Sequence, residues 1–231
     1  MFDLALRYLL ARRRQTLLML LGVLLGTAAF IALSGLLLGF KDYLVNQLVN
    51  NSASVHIEAA QDGGLILDGH SWASRLRSDS EVSAYSPQLT LPALFRRGSA
   101  VAAGALVGCD PARQAQVTTI ASYVTRGRFA DLGVGGGRLA LGAVLAGKLG
   151  VSLGSTVSLS TSRGRPESFV VAALFKTGVE QQDSLAYAPL ARVQSLAAAG
   201  RGVNGIAVRL RDYRRAGALA TLWSRLGPDR A

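Results

Sequence analysis

Residues 15–40 read QTLLMLLGVLLGTAAFIALSGLLLGF, 26 positions without one charged side chain. As a helix rising about 1.5 Å per residue, the run covers about 39 Å against a hydrocarbon core of about 30 Å, so it can cross a bilayer with some tilt. Its flanks give it a direction. Arg12, Arg13 and Arg14 precede it, with Arg7 further back, whereas only Lys41, beside Asp42, follows closely. A basic excess on one side of a span holds that side in the cytoplasm, which sends the chain beyond Phe40 outward. A secretory signal peptide shares the basic-then-apolar order, but its apolar core is only about 7–15 residues long and ends at a small-residue cleavage site. Length therefore favours an uncleaved anchor.

Upstream, FDLALRYLLARRR can place Phe2, Leu6, Leu9 and Leu10 on one helical face, so residues 1–14 read as a cytoplasmic amphipathic segment at the inner interface. Within the transmembrane helix, residues 15–40, Gly22 and Gly26 are spaced by four, as are Gly35 and Gly39. They read either as a helix-packing stripe, since small residues let a second helix approach closely, or as the ordinary glycine content of membrane helices. Downstream, Phe40, Tyr43, Leu44 and Leu48 continue a helical stripe, so residues 41–52 are expected to prolong the span into a stalk that ends at Asn50, Asn51 and Ser52.

Residues 53–231 remain for an exported domain of one or two lobes. Cys109 is the only cysteine, so this part has no internal disulfide; beside Leu106 and Val107 it reads as a buried small hydrophobe. The net charge of +11 is concentrated in residues 111–231, with sixteen basic against six acidic residues. Of the 25 basic residues, 22 are arginine. Outward topology separates them from nucleic acid, and a solvated face near anionic headgroups is the expectation. Gly133 to Gly137 lacks the Gly-Lys-Ser/Thr that a phosphate-binding P-loop needs, and no G-x-S-x-G occurs. His56 and His70 lie in different elements without metal-ligand spacing. No catalytic residue, cofactor or metal is expected, and ATP is not hydrolysed by this chain.

The rest of the pattern is α+β. SVHIE alternates as a strand with Val55 and Ile57 on one face, and SWASRLRS reads as a short helix with Trp72 and Leu76 inward. Two β-like segments follow near 82–97 and 100–108. Pro87 and Pro92 predict that the first is an edge strand or two short pieces. Residues 110–129 read as turn plus irregular helix. From Arg138, RLALGAVLAGKLGVSLGSTVSLS gives a strand, a helix with Val144, Leu145 and Leu149 inward, a stop at Gly150, a turn at Gly154 and a strand from Thr156. ESFVVAALF returns antiparallel. Pro189 opens a helix, LARVQSLAAA, closed by Gly200; GIAVRLR is a last strand, and Asp212 caps a last amphipathic helix.

This order resembles the opening of the MacB/FtsX-type ABC transporter permeases, particularly the lipoprotein-releasing LolC/LolE branch. The exported part is similar to their periplasmic core domain: Leu141-Gly142, Leu145-Ala146, Leu149-Gly150-Val151 and Gly154 form an LG-x-x-LA-x-x-LG-x-x-x-G pattern. Phe175-x-Thr177-Gly178 with Asp183, and Pro189-Leu190 with Gln194 and Leu196, complete the likeness. The resemblance implies a bacterial inner-membrane permease subunit. Its partners would be a cytoplasmic ABC ATPase, a second permease subunit in a homo- or heterodimer, the lipid bilayer and a lipoprotein or lipid cargo. The family carries three more spans after the core domain, so the expectation is a fragment or half of a split permease. Its chaperone-docking members carry a longer hairpin than the turn between Ser160 and Glu167, so docking by such an arm is not expected here. The alternative is a single-span, membrane-anchored periplasmic binding or adaptor protein; an anchored envelope enzyme comes third, for want of a catalytic constellation. N-terminal sequencing of the mature protein is expected to find the span retained, and a start at Ser34 or later overturns the anchor.

Overall fold

The computed structural model describes residues 13–51, 53–59, 64–66, 69–135, 137–162 and 165–226. Phe2, Leu6, Leu9, Leu10 and Arg12 lie outside the described residues. The chain divides into two compact units, Met1–Leu48 and Val49–Ala231. In the first, one helix, α1 (Arg13–Asn51), carries the whole apolar run and continues unbroken to the asparagine pair. Its stretch Leu17–Phe40 is long and apolar enough to cross a membrane. Large apolar side chains are exposed all round it, from Leu17 and Leu18 to Leu38 and Phe40, as in a helix whose solvent is lipid. The Thr27 hydroxyl donates to the Val23 carbonyl at 2.7 Å, so this polar group is satisfied within the helix.

The second unit runs β1 (Val55–Glu58), α2 (Gly69–Ser78), β2 (Val82–Arg97), β3 (Ala100–Cys109), α3 (Pro111–Val117), β4 (Val124–Gly127), β5 (Arg138–Gly142), α4 (Ala143–Leu149), β6 (Thr156–Thr161), β7 (Glu167–Phe175), α5 (Glu180–Asp183), β8 (Leu185–Pro189), α6 (Leu190–Leu196), β9 (Gly205–Leu210) and α7 (Ala216–Leu226), with single 3₁₀ turns at Ile120–Tyr123, Phe129–Gly133 and Tyr213–Arg215. The strands are ordered β1-β9-β2-β3-β8-β5-β7-β4, with β6 bridging β2 and β7. Alternation in β1 buries Val55 and Ile57 against Trp72 and Leu76 of α2 and Trp223 of α7. The central strands are covered on both faces, which is why Leu139-Ala140-Leu141 is a continuous buried run. One face packs Leu145 and Leu149 of α4 and Val193 of α6 over Phe95, Leu106 and Phe169. The other holds Phe129, Phe175 and Tyr187, whose rings meet edge to face with centroids 5.6 Å apart.

Four expectations are corrected. Strand β2 is neither an edge strand nor two pieces: it runs unbroken for 16 residues through the middle of the sheet. It changes partners along its length. Residues up to Gln88 pair with β9, those from Leu89 pair with β3, and β6 joins on from Ala93. Pro87 and Pro92 each sit where β2 has a strand on one side only, so a missing N–H interrupts no second ladder. The gap between β9 and β6 is filled by a side chain. Asn204 accepts from the Thr90 N–H at 2.8 Å and donates to the Thr90 carbonyl at 2.7 Å, standing in for a strand partner. Residues 110–129 are more regular than their pattern suggests, with α3, a 3₁₀ turn and β4. The helix after Pro189 stops at Leu196, because Ala198 turns left-handed at φ 50° well before Gly200; in α4, Val144 is half-buried rather than inward.

Asn204→Ala removes both bonds to Thr90. It should lower stability by about 1–2 kcal/mol, read as a shift in chemical unfolding followed by Trp72 and Trp223 fluorescence. An unchanged midpoint contradicts the partner-switch account of β2.

Candidate functional site

The residues of the scaffold pattern converge where β8 enters the sheet. Strand β8 lies between β3, to which it is parallel, and β5, to which it is antiparallel. The chain must therefore enter at residues 183–184 between the middle of β3 and the end of β5, and both neighbours offer a glycine there. A Cβ on Gly104 of β3 would sit 2.7 Å from the Ser184 carbonyl oxygen, and one on Gly142 of β5 would overlap the Asp183 carbonyl. A third glycine, Gly108, lets α6 settle on β3: its Cβ would come within 2.6 Å of Val193 Cβ.

The approach to this slot is locked by Asp183, which is only 4% exposed. Its Oδ1 accepts from the Thr177 N–H at 2.7 Å and from the Thr177 hydroxyl at 2.9 Å, and its Oδ2 accepts from the Gly178 N–H at 3.2 Å. Gly178 has φ 84°, a left-handed turn that suits glycine. Both carboxylate oxygens are thus committed to donors of their own loop, the arrangement of a structural cap rather than of a base poised for substrate. Thr177, Gly178 and Asp183 of one loop and the distant Gly142 form one joint.

The other scaffold positions lie in the core and in the turns around α4. Leu141, Leu145, Ala146 and Leu149 are buried in the core. Gly150 ends α4 at φ 60°, its carbonyl receiving the Arg97 guanidinium, and Gly154 at φ 81° donates its N–H to Val171 O at 2.8 Å. Gly22, Gly26, Gly35 and Gly39 are not brought to this joint; they lie on α1, where an added Cβ at any of them meets open space. Arg13 begins α1, and Arg14 is exposed on it.

Sequence reasoning missed a buried polar cluster. Asp110 caps α3 by accepting from the Ala112 N–H at 2.9 Å, and Pro111 occupies the first turn. This Asp-Pro pair is an N-terminal helix signal, and α3 carries Gln114 and Thr118 inward. Gln88 donates to Gln114 Oε1 at 2.7 Å, and the Gln114 amide donates to Thr118 Oγ1 at 3.3 Å. Cys109 next to it is fully buried, and burial first, then Asp110, pushes its thiol pKa up, away from reactive thiolate. Among the described residues, no three His, Cys, Asp or Glu side chains are grouped so that they could hold a metal.

Residues 16–224 match the family described as the MacB-like periplasmic core domain. The lipoprotein-releasing system transmembrane protein LolC of Neisseria meningitidis is 29% identical over 94% of this chain and 56% of its own length. LolC of Xylella fastidiosa strain Temecula1 is 26% identical over 90% and 53%. The chain therefore spans about half the length of the curated relatives it matches. Among solved structures, the periplasmic region of MacB from Actinobacillus actinomycetemcomitans superposes with TM-score 0.53 at 16% identity, over 74% of this chain and 82% of that one. The extracellular domain of the noncanonic ABC-type transporter YknZ from Gram-positive bacteria gives the same score and identity over 74% and 90%. These likenesses show the fold: an apolar helix followed by a mixed α+β domain.

The joint makes a paired prediction. Gly142→Ala should destabilise by about 1–3 kcal/mol or more through overlap with Asp183. Gly147→Ala, on the open face of α4, should stabilise by about 0.5–1 kcal/mol. Thermal melts that fail to separate the two variants contradict the slot.

Proposed function

The chain belongs to the MacB-like periplasmic core domain family, and on that premise we propose that it is a permease component, or the N-terminal part of one, of an ABC transporter in the bacterial inner membrane. The observation that carries this reading is continuity. The family match begins inside the apolar helix and runs through the α+β domain to residue 224, so helix and domain are matched as one unit rather than as a generic anchor fused to a module. Arg12, Arg13 and Arg14 hold the N-terminus in the cytoplasm, residues 15–40 span, residues 41–52 form a stalk, and the remainder works in the periplasm.

ATP hydrolysis belongs to a separate cytoplasmic subunit. Gly22, Gly26, Gly35 and Gly39 give the span a surface on which another span, from the same or a second permease subunit, can pack closely. The curated relatives are named for lipoprotein release, which makes a lipid-linked cargo handled on the outer side the first candidate. A domain driven by a moving helix has to hold its sheet together under load, and the Asp183 joint supports such a role: one buried carboxylate ties the exit of β7 at Thr177 and Gly178 to the entry of β8.

Affinity purification of the full-length gene product from detergent should recover an ABC ATPase whose turnover responds to lipoprotein. Recovery of no ATPase in several detergents overturns the permease reading and leaves the anchored binding module.

A further inference from the structure

Near the entry of β8, the second unit holds a partly open cavity of about 240 Å³ whose lining runs from His56 of β1 to Gln182 and Leu185 on either side of the Asp183 turn. We infer that this cavity is a binding site for an uncharged polyhydroxylated molecule of the size of a single sugar ring. The inference goes beyond the permease reading and does not depend on it. At about 30 Å³ per water the space equals about eight waters, room for one sugar ring and not for two.

The lining is polar yet uncharged. Gln88, Gln114 and Thr118 meet there, each nine-tenths or more buried, with His56 and Gln182 completing the polar wall and Tyr187 beside them. No carboxylate, lysine or arginine is among the described lining residues, so a charged ligand would be desolvated there without a counter-charge. Gln88 gives one N–H to Gln114, which leaves its carbonyl oxygen and second N–H for an occupant. Side-chain amides offer a donor and an acceptor side by side, the pairing that adjacent hydroxyls on a ring require. Val107, Ile120 and Leu185 give an apolar patch for the C–H face of such a ring.

Protonation reinforces this neutrality. His56 remains solvent-accessible as a residue, but the atoms crowded around its ring lower its pKa below the ordinary 6.5, with Glu58 opposing, so the ring is uncharged at neutral pH. Burial, then Cys109, raises the Tyr187 pKa and keeps its hydroxyl a donor. The walls come from β1, β2, α3, the loop of Asp183 and β8, so an occupant would touch both halves of the sheet at once.

The test is a saturation-transfer titration of the full chain in phospholipid nanodiscs, free of sugar-headed detergent, with glucose and with the charged analogue glucuronate. Saturable glucose binding with a Kd on the order of millimolar is expected, weaker for glucuronate. Gln88→Leu and His56→Ala should each weaken glucose binding about five-fold, the effect of one lost neutral hydrogen bond. His56 is exposed, so its variant decides the matter if Gln88→Leu fails to fold. Absence of saturable binding at about 100 mM, binding that His56→Ala leaves unchanged, or a preference for glucuronate overturns the site and leaves a water-filled cavity.

Discussion

The sheet depends on a steric constraint: a strand must be threaded between two others that nearly close the gap. Strand β8 has β3 on one side and β5 on the other, and the entering backbone at Asp183 and Ser184 clears them only because Gly104 and Gly142 have no side chains. The cap on Asp183 then removes the freedom that such a crossing would leave. Three hydrogen bonds to one buried carboxylate fix the loop at the point where it becomes strand. Packing on both faces follows, because α4 begins where β5 ends at Gly142 and α6 begins where β8 ends at Pro189.

Much of this is legible in the sequence because it is local. Twenty-six uncharged residues state an apolar helix long enough to span by length alone, and Leu145, Leu149, Gly150 and Gly154 write a helix, its stop and a turn within one short window. Asp183 and Gly142 could be marked as belonging to a pattern, but their contact could not be read, since nothing in local grammar says which glycine a distant carbonyl will press against. The prolines misled for a related reason. Pro87 and Pro92 weaken a strand only where it has neighbours on both sides, and the neighbours of β2 are set by β9 and β6, far along the chain. Gln88 and Gln114 were illegible altogether: a glutamine on a strand and one on a short helix look like surface until the fold buries them together.

The two-sided burial of the central strands and the alternating burial of β1 describe different physical situations within one sheet. Leu139 to Leu141 needs apolar residues at every position, whereas β1 has its Val55 and Ile57 face alone against a core. The polar cluster of Gln88, Gln114 and Thr118 lies where these regimes meet. Hydrogen bonds there do the work that apolar contacts do elsewhere, and they are directional, so they fix how α3 sits on the sheet as well as that it does.

The pairing of β1 with β9 sets an order of events during synthesis. Val55 finds its partner in Val208, and β9 is the only strand that β1 pairs with among the described residues. Chains emerge at about 5–20 residues per second, so β1 waits on the order of ten seconds for the strand that completes it. Over that interval its alternation protects it: His56 and Glu58 keep one face hydrated, and four residues offer little template to a neighbouring chain. The length of the wait is set by the position of β9, and a short, half-polar β1 is suited to it.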